Sequence, residues 1–315
     1  MSKSDSWYLR KACHFDDFSA AIRDKCEIEI AKGDLNKPIN WSAKNDKFYV
    51  LAPRGVYPAE YLPSESCVLT LDQNIFTTEK LTELSRLYDE QNVLLSPAFT
   101  CVEGEKKRLL TREEFSSEYA NKTSKLQEYF SSAQIHEHPH LEFVYESISR
   151  YSDFDSEIKF IKKVRHALDP NSSRPVFKKQ LEMIKELAIE NLPEMQNELV
   201  FIAALQFICS GSKTYDNPGQ RILAPRGSDN NDESAFNSAA DLLRLKVIAL
   251  SNLGSSLPYL LATGDKGLAL FWSGLEMSGV PNADPVQLKI VIRHKKNRPL
   301  MFPDLEYETF QELFK

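Results

Sequence analysis

Continuous apolar runs give the strongest β-strand signals in this chain. One run, CVLTL, covers residues 67–71, and a second, within NVLLSP, covers residues 93–96. Between them, leucines recur at helical spacing at positions 81, 84 and 87. A strand, a helix and a second strand in this order predict a βαβ unit, in which helices cover the faces of a parallel sheet.

Amphipathic helical patterns dominate the middle of the chain. The segment TREEF places Thr111 three residues before Glu114, which is the capping-box arrangement found where helices begin. Further helical patterns cover residues 155–168, 174–190, 193–209 and, after a polar loop at 211–233, residues 234–251. Most of the segment from 111 to 232 is therefore predicted to be a helical insertion.

The two ends of the chain carry mixed patterns. Near the N-terminus we expect a helix over about residues 16–32, a loop at 36–40 and a short strand, KFYVLA, that ends before Pro53. Towards the C-terminus, YLLAT predicts a strand, GDKG a turn, and VQLKIVIRH a last strand after a short helix. The segment EYETFQELF predicts a closing helix.

These elements predict an α/β fold in which a parallel sheet is flanked by helices. We expect an N-terminal extension over residues 1–65 and the first part of the α/β core over residues 66–110. The helical insertion and polar loop then occupy residues 111–232. The second part of the core, with the last strand and helix, occupies residues 233–315.

Composition and charge limit the possible functions without changing this fold prediction. A chain of 315 residues with 42% hydrophobic residues can bury a substantial core. The net charge of -6 and the pI near 5.7 argue against a protein that coats nucleic acid by bulk positive charge. A metal-dependent nuclease stays possible, because such an enzyme uses its carboxylates to hold cations.

The cysteines and the apolar stretches indicate the cellular compartment. The five cysteines are scattered and lack CxxC spacing, so we expect neither a disulfide framework nor a zinc site: Cys13, Cys26, Cys67, Cys101 and Cys209. The N-terminus has no apolar leader, and the longest apolar stretch, residues 199–209, is too short to cross a bilayer. The sequence therefore predicts a soluble, cytoplasmic protein with no membrane partner.

Acidic residues follow several of the predicted strands. Asp72 ends CVLTLD, Asp265 ends YLLATGD, and Glu103 follows NVLLSP closely. Asp241 lies in the helix that leads to the strand before Asp265. Open α/β sheets bind ligands at the carboxyl ends of their strands, and clustered carboxylates repel one another unless divalent cations neutralise them. A single acid after a strand is more often a helix cap, so the hypothesis depends on the four together.

The order and context of these acids resemble the PIN-like nuclease family. As in that family, Asp72 is followed closely by an asparagine, Asn74, and the next strand is followed by a Ser-Pro turn and an acid, Glu103. A third acid in a helix, Asp241, and a T-x-D segment that ends at Asp265 complete the pattern. The resemblance covers residues 67–108 and 234–272 and implies a three-layer fold with a PIN-like parallel sheet. It also suggests an effector of a defence or toxin system.

The resemblance implies hydrolysis of phosphodiester bonds by one or two Mg²⁺ or Mn²⁺ ions, which prefer oxygen ligands. The implied metal ligands and catalytic residues are Asp72, Glu103, Asp241 and Asp265, with RNA favoured over DNA as the substrate. Supporting or phosphate-contacting groups are expected among the neighbouring polar residues, namely Asn74, Ser96, Thr263 and Lys266. The same residue types also occur in ordinary turns and at strand ends.

Basic residues near these acids are candidates for contact with nucleic acid, by attraction to the phosphate backbone. They fall in two runs, Lys106, Lys107 and Arg108, and Arg293, Lys295, Lys296 and Arg298. Runs of charge are also common on solvated surfaces. A regulatory protein or a second copy of the chain is a further possible partner.

The sequence leaves several alternatives open. The long segment between Glu103 and Asp241 is absent from compact PIN-like proteins, so Asn237 or Asp232 could take the place of Asp241. A haloacid-dehalogenase-like phosphatase is a rival, but that family needs a second Asp where Asn74 stands. The non-enzymatic alternative is a catalytically silent PIN-like scaffold whose helical segment binds a partner protein.

Overall fold

The computed structural model describes a set of segments that together cover most of the chain. They are residues 26–32, 48–52, 55–59, 66–103, 108–135, 153–167, 174–192, 199–208, 218–224, 231–254, 257–279 and 288–294, with the single residues 106 and 145. The chain divides into two compact units. The first unit contains residues 1–19, 37–152 and 247–269, and the second contains residues 20–36, 153–246 and 270–315.

The described strands and helices are numbered here in chain order. The strands are β1 (Cys26–Lys32), β2 (Tyr49–Ala52), β3 (Gly55–Pro58), β4 (Cys67–Leu71), β5 (Val93–Ser96), β6 (Gln134–Ile135), β7 (Tyr259–Thr263), β8 (Leu275–Gly279) and β9 (Leu288–His294). The helices are α1 (Thr78–Tyr88), α2 (Thr100–Glu103), α3 (Arg112–Tyr129), α4 (Phe154–Ala167), α5 (Arg174–Asn191), α6 (Leu199–Ile208), α7 (Pro218–Leu223), α8 (Asp232–Gly254) and α9 (Lys266–Ser273).

The first unit is built on a six-stranded sheet with the order β3-β2-β7-β4-β5-β6. The strands β7, β4, β5 and β6 are parallel, and α1 connects β4 to β5, so the predicted βαβ unit is confirmed. The prediction of a parallel sheet holds for these four strands, and the whole sheet is mixed because β2 is antiparallel to both β7 and β3. The strands β2 and β3 lie within the predicted N-terminal extension and are nevertheless part of this sheet. The fold is α/β, with a mixed sheet flanked by helices.

The core of the first unit lies between one face of this sheet and two helices. Alternate residues of the central strands, Leu69 and Leu71 among them, pack in one cluster with Leu84 of α1 and Leu126 of α3. All four side chains are 0% exposed. Full burial of one such leucine contributes about 1.5–3 kcal/mol to folding, so these contacts are the main attachment of α1 and α3 to the sheet.

Local capping signals fix where the helices of the first unit begin. The side chain of Thr77 accepts a hydrogen bond from the Lys80 amide at the start of α1. At the start of α3, Thr111 and Glu114 form the complete capping box that the sequence predicted. A capping side chain satisfies a backbone amide that has no partner within the helix, which typically contributes about 1 kcal/mol.

The second unit contains a three-stranded sheet with the order β1-β9-β8. The strand β9 is parallel to β1 and antiparallel to β8. The prediction of a helix through residue 32 was therefore wrong for residues 26–32. The segment CEIEIAK alternates apolar and charged residues with the period of two that is typical of a strand, and this signal outweighs its helical character.

The predicted helical patterns at 155–168, 174–190 and 234–251 are confirmed as α4, α5 and α8, with small shifts of their ends. Of the pattern predicted at 193–209, the described residues 199–208 form α6. Every residue of α6 is buried, including Gln206. Helix α7 packs so closely on α6 that a Cβ atom on Gly219 would lie 2.5 Å from the Ala203 carbonyl oxygen. Glycine is therefore required at this crossing, because any side chain would separate the two helices.

A half-buried arginine joins three helices of the second unit. Arg165 of α4 donates from its Nε atom to the Leu223 carbonyl of α7 and from its guanidinium to Ser234 and Ser238 of α8. Burial lowers the pKa of Arg165 to about 10.

Among the described residues, no helix combines the length and apolarity needed to cross a membrane. The predicted closing helix, EYETFQELF, lies outside the described residues.

Candidate functional site

Four polar side chains lie on one face of the central strands of the first unit. The opposite face carries the apolar cluster, which includes Leu69, Leu71, Leu95 and Ala262. Because successive side chains of a strand point to opposite faces of the sheet, the polar group lies on the other face from this cluster. The four polar residues are all buried: Thr70 and Asp72 at the end of β4, Ser96 at the end of β5 and Thr263 at the end of β7. They lie at the carboxyl ends of parallel strands, where open α/β sheets bind ligands.

Asp72 is the acid of this group, and its side chain is almost fully buried, with 1% exposure. Its amide donates to the Ala262 carbonyl at 3.0 Å, which extends the pairing of β4 with β7 by one residue. Its Oδ2 atom accepts from the Asn74 side-chain amide at 2.7 Å and from the Thr263 hydroxyl. The following residues form a 3-10 turn, Gln73–Ile75, for which the Asp72 side chain makes no capping hydrogen bond. A helix cap therefore does not explain this buried acid.

Asn74 connects the loops that follow β4 and β7. Its Nδ2 atom donates to Asp72, and its Oδ1 atom accepts from the Gly264 amide at 2.6 Å. An aspartate in this position could not donate to Asp72 and would place two carboxylates against each other. The amide of Asn74 thus fixes the Asp72 carboxylate and the Gly264 backbone relative to each other.

Thr263 and Asp265 continue this network on the β7 side. The Thr263 hydroxyl donates to Asp72 and accepts from the Asp265 amide at 3.0 Å. The Asp265 Oδ1 atom accepts from the Leu268 amide at 3.0 Å, which makes Asp265 the capping residue of α9. Asp265 is therefore close to the predicted site and also has a structural role that would by itself explain an acid here.

Lys80, which was not among the residues predicted from the sequence, also contacts this network. Its Nζ atom donates to the Asn74 carbonyl at 2.9 Å. A Cβ atom on Gly264 would lie 2.4 Å from this Nζ atom and 2.9 Å from the Asn74 Oδ1 atom. Gly264 therefore leaves the space that the lysine ammonium and the asparagine amide occupy. A lysine in the first turn of a predicted helix, where acids are favoured, was the available signal.

Two further predicted residues of the first unit lie at the end of β5 and in the segment that follows it. Ser96 is 2% exposed, and its Oγ atom accepts from the Ala98 amide at 3.5 Å, as expected in a turn. Glu103 is the last residue of α2, and its side chain lies outside the described part of the structure. The structure thus locates the backbone of Glu103 and leaves its role as a ligand a prediction.

Asp241 belongs to the second unit, on α8. Its Oδ1 atom accepts from the Arg244 guanidinium at 2.8 Å, and the two residues are 8% and 1% exposed. Of the alternatives to Asp241, Asp232 is exposed and pairs with Lys162 at 2.5 Å. The Oδ1 atom of Asn237 is buried and has no hydrogen-bond partner among the described residues. The spacing of Asp241 and Arg244 was visible in the sequence and predicts such a pair.

Most of the basic candidates for nucleic-acid contact either have protein partners or lie outside the described residues. Lys106 and Arg108 both bind Glu114, with two hydrogen bonds of 2.8 Å from Arg108, and they hold the pKa of Glu114 well below its usual range. Lys266 is exposed at the start of α9. Arg293 lies in β9 with its side chain not described, and the others lie outside the described residues, namely Lys107, Lys295, Lys296 and Arg298.

The buried cysteines of the first unit offer no nucleophile. Burial raises the pKa of both Cys67 and Cys101 to about 12, so each thiol stays protonated at neutral pH. The thiolate is the reactive form of cysteine. These two residues therefore serve as small apolar side chains in the core.

The oxygen atoms at the strand ends are of the chemical type that Mg²⁺ and Mn²⁺ prefer. The described acids are too few to form a complete set of ligands. Asp72 and Asp265 supply carboxylates, and Asn74 and Thr263 supply neutral oxygens, all of which are hard donors. Among the described residues, no group of three or more His, Cys, Asp or Glu side chains could hold a metal ion. A complete set of ligands would need acids beyond Asp72 and Asp265, and of the four predicted ligands Glu103 is the one whose side chain is not described.

Comparison with protein-family models, with curated proteins and with solved structures found no match for this chain.

Proposed function

We propose that this protein is a divalent-metal-dependent nuclease that hydrolyses phosphodiester bonds. The proposed ligands are Asp72, Glu103 and Asp265 of the first unit, and Asp241 is a fourth ligand only because the family resemblance implies it. The same resemblance, to a family with many ribonucleases, favours RNA over DNA. The observation that carries the proposal is the environment of Asp72. Its carboxylate is 1% exposed, is not a helix cap, and is oriented by Asn74 and Thr263 at the carboxyl ends of two central strands.

The energetics of Asp72 support a functional explanation. Burial of a carboxylate costs several kcal/mol unless hydrogen bonds and nearby charges offset it, and the hydrogen bonds from Asn74 and Thr263 have this role at Asp72. A core packed with apolar residues would be cheaper at the end of β4, so the acid is best explained by a ligand that needs it. Asp72, Asn74 and Thr263 also form a network in which each side chain limits the motion of the next. A site held in this way meets its ligand with little further ordering.

A bound Mg²⁺ or Mn²⁺ would supply charge stabilisation for the phosphate and activation of a water molecule. The chain's own residues would hold and orient the substrate. Asn74 fixes the Asp72 carboxylate by donating to its Oδ2 atom. The Thr263 hydroxyl donates to the same Oδ2 atom and accepts from the Asp265 amide, so it connects the Asp265 backbone to the carboxylate. Partners in the form of a regulatory protein or a defence or toxin system belong to this proposal only through the family resemblance.

Cleavage of labelled RNA and DNA in the presence of Mn²⁺ tests the proposal, with Asp72→Asn as the decisive variant. Loss of a metal ligand should remove several kcal/mol of transition-state stabilisation and lower kcat/KM by on the order of 100-fold or more. The matched control is Glu83→Gln, which neutralises an acid of the same unit that pairs with Arg86. The proposal fails if the purified protein cleaves neither substrate, or if Asp72→Asn cleaves as fast as the control.

A catalytically silent scaffold that binds a partner protein is the second candidate. Two of the four proposed ligands have structural partners, since Asp241 pairs with the buried Arg244 and Asp265 caps α9. Both contacts would suit a protein that has kept the fold without the chemistry. The cleavage assay separates the two candidates, because a silent scaffold gives no Mn²⁺-dependent cleavage from wild-type protein.

A further inference from the structure

Lys80 has an unusual place in its helix. It is the third residue of α1, whose first turn already contains an acid, Glu79. The positive end of the helix dipole lies at the N-terminus, so a lysine there is electrostatically unfavourable by about 0.3–1 kcal/mol. A contact within the protein or a bound anion can offset a cost of this size.

The contacts of Lys80 within the described structure do not neutralise its charge. Its Nζ atom has one acceptor, the Asn74 carbonyl at 2.9 Å, and no carboxylate among the described residues forms an ion pair with it. A lysine ammonium has three donors and carries a compact positive charge. One of the three is used by Asn74, so the ammonium can bind an anion without leaving its position.

The surroundings of the ammonium connect Lys80 to Asp72 through residues that both of them contact. The carbonyl that accepts from Lys80 belongs to Asn74, whose side chain donates to Asp72 at 2.7 Å. On the other side the ammonium lies against Gly264, which directly follows the threonine that donates to Asp72. Half-burial of Lys80 leaves part of the side chain open to solvent. A substrate phosphate that approaches Asp72 would therefore meet a fixed cation.

We propose that Lys80 contacts the substrate phosphate at the Asp72 site and so contributes to substrate binding. This inference rests on the proposed nuclease function and names the residue that attracts the phosphodiester. Asn74 has two roles in it, because its amide orients Asp72 and its carbonyl holds the lysine ammonium. The ligand chemistry is that of a phosphate oxygen on a nucleic-acid backbone.

Lys125 provides a matched control for a purely structural role. Its Nζ atom donates to the Phe76 carbonyl at 3.1 Å, two residues after the carbonyl that Lys80 binds. Both lysines are half-buried, and both support the loop after β4 from a helix of the first unit. If support of this loop were the only role of Lys80, removal of either ammonium should have the same effect.

The test is binding of a fluorescently labelled single-stranded RNA by anisotropy, in Ca²⁺ and over a series of KCl concentrations. We expect Lys80→Met to raise the Kd about tenfold and to reduce the slope of log K against log salt by roughly one. Lys80→Gln keeps a donor for the Asn74 carbonyl but has no charge, so it should lose as much affinity. Lys80→Arg should recover part of it, and Lys125→Met should stay within about twofold of wild type.

Each outcome supports or overturns the proposal. Unchanged Kd and salt slope in both Lys80→Met and Lys80→Gln overturn it, as does an equal loss in Lys125→Met. Wild-type protein that binds no RNA also overturns it. If RNA binding depends on Lys80 but wild-type protein shows no Mn²⁺-dependent cleavage, the nuclease proposal fails and the phosphate contact stands. If wild type cleaves and all Lys80 variants bind normally, only the role of Lys80 fails.

Discussion

Asp89 directly follows α1 and stabilises the turn between α3 and β6, which lies more than 40 residues further along the chain. Its carboxylate accepts from the Ser131 hydroxyl and the Ser132 amide at 2.8 Å each, and from the Ala133 amide at 3.0 Å. These hydrogen bonds, those from the Ser132 and Ala133 amides foremost, lower the pKa of Asp89 from its ordinary value of 3.8 to about 2. Hydrogen bonds to a charged acceptor are stronger than neutral ones, so this residue should contribute to the stability of the first unit.

We therefore expect Asp89→Asn to lower the free energy of unfolding at pH 7 by about 1–2 kcal/mol. Because the folded-state pKa is depressed, the contribution is complete above the unfolded pKa, near 3.8, and is lost as the pH falls towards about 2. Urea unfolding at pH 7 and at pH 3 should show a smaller difference between wild type and variant at the lower pH. The neighbouring Glu90→Gln is the control, and an equal loss in that variant would contradict the prediction.

At the level of individual residues, the sequence predicted the neighbourhood of the site better than its contacts. Asp72, Asn74, Thr263 and Asp265 come together as expected, since the ends of paired parallel strands are adjacent. Lys80 was missed because its long side chain reaches Asn74 only after the loop has taken its shape. The capping role of Asp265 was the ordinary explanation of an acid before a helix, and the structure contains that contact.

At the level of elements, helix α1 shows how a sequence pattern becomes a folding contribution. Its leucines at positions 81, 84 and 87 form the apolar stripe that predicted the helix. Leu81 and Leu84 are 0% exposed in the core, whereas Leu87 is only partly buried at its edge. The three leucines therefore differ in how much of their apolar surface is buried, and truncation of the fully buried ones should cost more.

The loss in free energy of unfolding when a leucine of this stripe is truncated should increase with the burial of that leucine. We expect Leu84→Ala to lower the free energy of unfolding by about 2–5 kcal/mol, because it removes buried methyl groups and leaves a cavity. Leu87→Ala, the matched change one turn of the helix away, should cost less than half as much. Urea unfolding followed by circular dichroism gives both values, and equal losses would show that α1 does not pack as described.

The strand pairing that the sequence did not predict depends on contacts between distant parts of the chain. The pairing of Tyr49 with Thr263 makes β2 antiparallel to β7, and no local signal specifies a partner so remote in sequence. In contrast, the capping box of Thr111 and Glu114 involves neighbours only and was predicted correctly. The strand at residues 26–32 had a local signal, the alternation in CEIEIAK, which the helical interpretation overlooked.

At the scale of the whole molecule, metal binding can be tested independently of catalysis. A ligand that binds only the folded chain stabilises it by RT ln(1 + [L]/Kd), which is about 2.7 kcal/mol at a concentration of 100 Kd. We expect Mn²⁺ to raise the thermal unfolding midpoint of the wild-type chain and to have no such effect on Asp72→Asn. Each variant is compared with itself with and without metal, because Asp72→Asn also changes the hydrogen bonds to Asn74 and Thr263.

The same measurement decides which other acids take part. Asp241→Asn releases Arg244 from its partner, so its stability without metal should fall whether or not Asp241 binds a cation. Only the increment on adding Mn²⁺ reports on the ligand role, and we expect it to be reduced in Asp241→Asn and in Glu103→Gln. Glu83→Gln should keep the full increment. A full increment in Asp72→Asn would mean that Mn²⁺ binds elsewhere in the chain, and the buried carboxylate would then need an explanation in folding alone.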